Sequence, residues 1–157
     1  MMNAMKWMHT VAACALALGL NAAASAQDRA TLDEAKVMAE QAAAHVKKVG
    51  PDQAFKDFND QSNATWKKKD LYVFAYNMKG DCVAHGANAQ LVGKNQLELK
   101  DPTGKPVVRE LIDAAKSGTS RVDYVWPNPM TKQPEPKASY VVKLAGYEGF
   151  VGVGAYR

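Results

Sequence analysis

The apolar positions of this chain fall into two periods. Leu71-Tyr72-Val73-Phe74-Ala75-Tyr76 is an unbroken run of aromatic and branched residues, the pattern of a strand buried on both faces. Val107, Val108, Leu111, Ile112 and Ala115 instead recur at spacings of three and four, which predicts a helix that stops at Gly118. Upstream, Thr31-Leu32-Asp33-Glu34 fits a capping box and opens a helix running to Val49. Gly50-Pro51 ends it and starts a short second helix with Phe55 and Phe58 on one face. Cys82 to His85 returns from the first strand through the turn at Asn77 to Asp81. Three further strands are expected at Ser120 to Trp126, Lys137 to Leu144 and Phe150 to Tyr156. Connections this short do not suit parallel crossovers, so the fold class is α+β with a five-stranded antiparallel sheet.

The chain begins with Lys6, an apolar run from Val11 to Leu20, and Ala24-Ser25-Ala26, the three parts of a secretory signal. Residues 1–26 are therefore expected to be a cleaved leader and 27–157 one domain. The run falls short of the roughly 20 residues that cross a bilayer, so no membrane span is expected after cleavage and the location is periplasmic or secreted. Val11-Ala12-Ala13-Cys14 resembles a lipobox, but cutting there would leave almost no hydrophobic region ahead of it. Without the leader the net charge is +3, from 19 Lys and Arg against 16 Asp and Glu. That is too mild and dispersed for nucleic acid, and Lys67-Lys68-Lys69 reads as a solvated turn. Cys82 is then the single cysteine, so no internal disulfide forms and it reads as a buried thiol.

No catalytic set emerges: His45 and His85 lie apart, and Gly93-Lys94 and Gly104-Lys105 lack the context of a phosphate loop. An enzyme is not expected, nor any cofactor or metal. Cys82 and His85 are three apart in a strand and would point to opposite faces. The informative stretch is Tyr124 to Pro129 followed by Pro136 to Tyr140. If Trp126 pairs with Lys137 and Tyr124 with Ser139, these four share a face and form aromatic walls with an ammonium and a hydroxyl for a small anion. A one-residue slip would exchange Tyr140 for Lys137. Equally, Tyr124, Trp126 and Tyr140 could simply be core, with Lys137 reaching to water. Gly152 and Gly154 on the last strand either open space for a ligand or let a helix pack closely.

Seven motifs together resemble the single Cache domain of bacterial receptors: the Leu71 to Tyr76 run with Gly80, Ala84-His85-Gly86, Leu91 to Asn95, Asp101 to Pro106, Tyr124 to Pro129, Pro136 to Tyr140, and Gly152 to Tyr156. The resemblance covers nearly all of residues 27–157. It implies a PAS-like fold whose long N-terminal helix packs beside the sheet, and a pocket between the sheet and the segments around the central helix. It places Tyr124, Trp126, Lys137 and Tyr140 first as ligand-binding residues, with His85 and Tyr76 behind them. The ligand implied is a small organic anion, a short carboxylate by preference. Receptors of the family carry a membrane helix after the last strand, whereas this sequence ends at Arg157. The expectation is therefore a stand-alone sensing domain that serves a membrane receptor or kinase. The alternative is an interaction module with no free ligand. The oligomeric state stays open, a dimer included.

Overall fold

The structure is a computed structural model describing residues 29–157; the expected leader, with Cys14, lies outside the described residues. Helix α1 (Leu32–Val49) starts on a complete capping box, with Thr31 Oγ1 accepting from Glu34 N at 3.1 Å and the Glu34 carboxylate accepting from Thr31 N at 2.7 Å. Its buried stripe of Ala35, Met38, Ala39, Ala42 and Val46 is mostly alanine, which lets the helix axis lie close to the sheet. Gly50 ends it at φ 86°, a conformation that needs glycine, and Pro51 opens α2 (Pro51–Asn59).

The sheet contains β1 (Lys67–Lys68), β2 (Leu71–Asn77), β3 (Cys82–His85), β4 (Thr119–Pro127), β5 (Pro134–Lys143) and β6 (Gly149–Tyr156). Its order is β1-β2-β6-β5-β4, with β3 also on β2, and every pairing is antiparallel. The architecture is thus the α+β one expected, with one strand more. Lys67 and Lys68 pair with Tyr72 and Leu71 rather than standing in a solvated turn, a two-residue ladder too short to leave a pattern in the sequence. Helix α3 (Val107–Lys116) lies between β3 and β4 in the chain.

The sheet separates two cores. Leu71, Val73 and Ala75 of β2 face α1 and α2, where Phe58 and Trp66 meet edge to face at 5.0 Å. Tyr72, Phe74 and Tyr76 face α3, with Val107, Val108 and Leu111 opposite them. The alternation is the ordinary pleat of a strand, concealed in the sequence because both faces are covered.

Two local departures from the expected pairing decide which side chains meet on the α3 side. The β4–β5 ladder pairs Tyr124 with Lys137 and Val122 with Ser139, two residues away from the expected register. Pairing continues through Pro136 and Pro134 to Pro127, and the loop closes with Asn128 N donating to Gln133 O. A β-bulge in the β2–β3 pair brings Tyr76 opposite Cys82 and Phe74 opposite His85. Cys82 and His85 therefore lie on the same side of the sheet, contrary to the simple alternation. The Cys82 thiol is buried, donates to Ala84 O and is pushed up to about 11 by burial.

Candidate functional site

Lys137 is the unusual residue of the second core. Its side chain crosses from β5 beneath α3 and is 1 % exposed. Gly154 on the neighbouring strand makes room for it, because a Cβ there would run into the Lys137 stem and the Ser139 hydroxyl. Gly152 makes room for the Phe74 ring in the same way. Both glycines thus clear space for side chains on the α3 side of the sheet, and neither brings a helix closer.

The Lys137 ammonium donates to Tyr72 Oη at 2.8 Å and sits over the Tyr72 ring, 4.0 Å from its centroid, with the Tyr156 ring at 5.0 Å. These cation–π contacts replace part of its lost hydration. Burial nevertheless pulls its pKa down to about 7, with the Asp70 charge acting in the opposite direction. An ammonium has three donors, and Lys137 uses one of them among the described residues.

Tyr72 Oη is also 3.2 Å from Tyr156 Oη, which donates to Pro127 O at 2.7 Å. Since the Tyr156 proton is committed to that carbonyl and Tyr72 accepts from Lys137, Tyr72 donates to Tyr156. The result is one polarised chain running from the ammonium to the loop after β4. Burial keeps both phenols well above their usual range, so they remain neutral donors.

His85 stacks on Tyr72 with ring centroids 4.9 Å apart. Its Nδ1 accepts from Ala87 N at 3.3 Å and Asn88 N at 3.0 Å. An Nδ1 that accepts has no proton, so the neutral ring carries its hydrogen on Nε2. Burial, and then the Lys137 charge, push the pKa down to about 3.

These groups line a small chamber of about 10 Å³, walled by Tyr72, Phe74, Tyr76, His85, Tyr124 and Trp126 around Lys137 and roofed by Val107, Val108 and Leu111. That is room for about one water. Tyr72, His85 and Trp126 also border an open cleft of about 470 Å³ that runs past Leu91, Asp101 and Pro127 to Pro129. They form the partition between the two spaces. Asp101 shapes the cleft wall: its Oδ1 accepts from Thr103 N and Lys105 N, and its Oδ2 accepts from Val125 N at 2.9 Å.

Of the residues singled out in the sequence, Tyr124, Trp126, Lys137, His85 and Tyr76 all border the chamber. Tyr140 does not. It is one parity off from Lys137 and packs against the α1 core on the opposite face. Tyr124 bonds Ser139 Oγ at 2.8 Å, and Tyr76 donates to Gln96 Oε1. Tyr72, Phe74 and Tyr156 were not singled out. Alternation from Tyr76 along β2 puts Tyr72 and Phe74 on its side, a signal available in the sequence.

Comparison with known proteins places the fold. The family model for single Cache domain 2 matches residues 14–157. The chain belongs to that family. Over 88 residues this Cache domain is 40% identical to the sensor histidine kinase MctS of Rhizobium johnstonii, an alignment covering 56% of the chain and 19% of the kinase. The chain thus spans about a fifth of that relative's length. A methyl-accepting chemotaxis protein from Vibrio parahaemolyticus superposes with a TM-score of 0.69 at 25% identity, over 85% of this chain and 90% of that one. A Cache chemosensory domain studied for carboxylic acid recognition superposes at 0.67 and 22% identity, over 85% and 95%, and shares the fold. The domain is homologous to the sensor domains of chemoreceptors and histidine kinases. Among the described residues no helix is long and apolar enough to cross a membrane.

Proposed function

We propose that this Cache domain is an extracytoplasmic sensor for a short organic carboxylate, held in the chamber at Lys137. The observation that carries the reading is the wholly buried ammonium with two donors left over, facing an aromatic chamber. A carboxylate would take those donors in charge-assisted hydrogen bonds, and the Nε2–H of His85 is a further donor at the same wall. Val108, Leu111 and Phe74 offer an apolar surface to a small tail; since the chamber as it stands holds about one water, its aromatic walls must draw back to admit an acid, and the shortest acids ask for the smallest movement. The carboxylic acid recognised by a solved Cache domain of the same fold is in line with this. Occupancy would be passed on by a membrane receptor or kinase.

The test is a thermal or urea denaturation series with formate, acetate, propionate, pyruvate and malonate. A ligand at a hundredfold its Kd adds about 2.7 kcal/mol to stability. The expected result is such a gain with at least one acid and its loss in Lys137→Met. No gain with any of them overturns the reading.

One observation favours a second function. The chamber is nearly filled by its own side chains, as in an interaction module that is an accessory to a membrane receptor and has no free ligand. Capture of a receptor from envelope extract by the Lys137→Met protein as well as the wild type would support it.

A further inference from the structure

Among the described residues, no carboxylate lines the chamber into which the Lys137 ammonium points. Lys137 is 1 % exposed, donates one hydrogen bond and makes no ion pair among those residues. Asp70, before β2, lies outside the lining and accepts from Ala30 N on the α1 side. The rings of Tyr72, Tyr156 and Phe74, with centroids 4.0, 5.0 and 5.3 Å from the ammonium, offset part of its desolvation. A buried charge still calls for an opposite charge in contact with it.

The polar groups of the wall are mostly engaged with one another. Tyr76 gives its proton to Gln96 Oε1, Tyr72 gives its own to Tyr156, and the Tyr124 hydroxyl is paired with Ser139 Oγ. His85 Nδ1 accepts from two backbone amides. What remains among the described residues is a set of donors: two ammonium hydrogens of Lys137 and the Nε2–H of His85. A water in the space of about 10 Å³ would accept from them and leave the positive charge uncompensated. A monatomic anion close to a water in size accepts from the same donors and supplies the missing charge. Unlike a carboxylate, it asks for little movement of the aromatic walls.

We infer that the resting chamber is a halide site, in which one chloride-sized anion lies against the Lys137 ammonium and is given up when a carboxylate enters. Binding of an acid is then an exchange of one anion for another, and the ammonium keeps a negative partner in both states. The inference deepens the carboxylate reading of the same chamber and rests on it for the exchange step, while halide binding itself is measured with no carboxylate present.

Sodium chloride is titrated into carboxylate-free protein at about pH 6, below the value of about 7 to which burial brings Lys137, with sodium sulfate holding the ionic strength constant. The gap between the urea midpoints of the wild type and Lys137→Met should widen with chloride and saturate as a single site. A gap that ignores chloride overturns the inference. Wild-type crystals grown in sodium bromide need no variant, so a Lys137→Met protein that fails to fold does not block the test. One anomalous bromide peak in contact with Lys137 Nζ is expected, and a chamber without it overturns the inference. With chloride at about ten times its own Kd, the apparent acetate Kd should rise about tenfold. Acetate that binds equally well with and without chloride overturns the inference and leaves the carboxylate reading standing. Halide that binds where no carboxylate does defeats that reading and leaves the halide site standing.

Discussion

Two backbone amides aimed at Nδ1 decide what His85 can do. They fix the tautomer and, with burial, keep the ring neutral. The folded pKa of about 3 lies below the 6.5 of a free histidine. Below pH 6.5 the unfolded chain therefore takes up a proton that the folded one refuses. The stability contributed by the neutral ring is complete above pH 6.5 and is lost progressively as pH falls towards 3. Acidification to pH 4.5 should cost about 2 to 3 kcal/mol through this one residue. Urea denaturation at pH 7 and 4.5 measures it, and His85→Gln should show a correspondingly shallower decline. Lys137 has the same sign in another window: with a folded pKa near 7 against 10.5, it contributes stability that grows as pH rises between those values. At this scale the sequence carried residue types but not their facing. The ammonium, Tyr76, His85, Tyr124 and Trp126 were recognisable, whereas the rings nearest the ammonium, those of Tyr72, Phe74 and Tyr156, were not singled out, and Tyr140 was set beside Lys137 only through the family resemblance although its spacing of three from Lys137 along β5 sets it on the opposite face.

Elements were more readily read than their joints. The capping box of α1, the buried run of β2 and the three-and-four spacing of α3 each follow from local chemistry that the folded chain retains. The β4–β5 register and the β2–β3 bulge do not, since each is set by contacts distant in sequence. The strand expected from Lys137 begins earlier, and the ladder runs through Pro134 and Pro136 although neither has an amide donor. Helix α3 matters most to the proposed binding site, because Val107, Val108 and Leu111 line the chamber. Leu111→Ala should destabilise by about 2–5 kcal/mol, as for other buried leucines. It should also admit longer acids, so the preferred chain length in an acetate-to-valerate series rises by one or two carbons. An unchanged preference would mean that α3 does not bound the ligand.

For the molecule as a whole, the sheet divides labour between its faces. The α1 side is closed, apolar and occupied by Phe58, Trp66, Val73 and Val151, while the α3 side accepts a buried charge and incompletely used donors. The first face supplies stability that the second forgoes. Phe58→Ala, on the closed side, should cost about 3–5 kcal/mol in urea denaturation. Acetate affinity measured by calorimetry on the folded protein should change less than twofold. A large loss of affinity would show that the two faces are coupled through the sheet.

The narrow chamber behind the partition of Tyr72, His85 and Trp126 also bears on time. On the proposed reading, an acid that comes from the cleft passes Tyr72, His85 and Trp126, which line both spaces, to reach Lys137. Entry by that route then waits for them to part, which slows association below the diffusion limit. Departure waits for the same event. On that reading such a domain would average over rapid fluctuations of its ligand and report the concentration that persists.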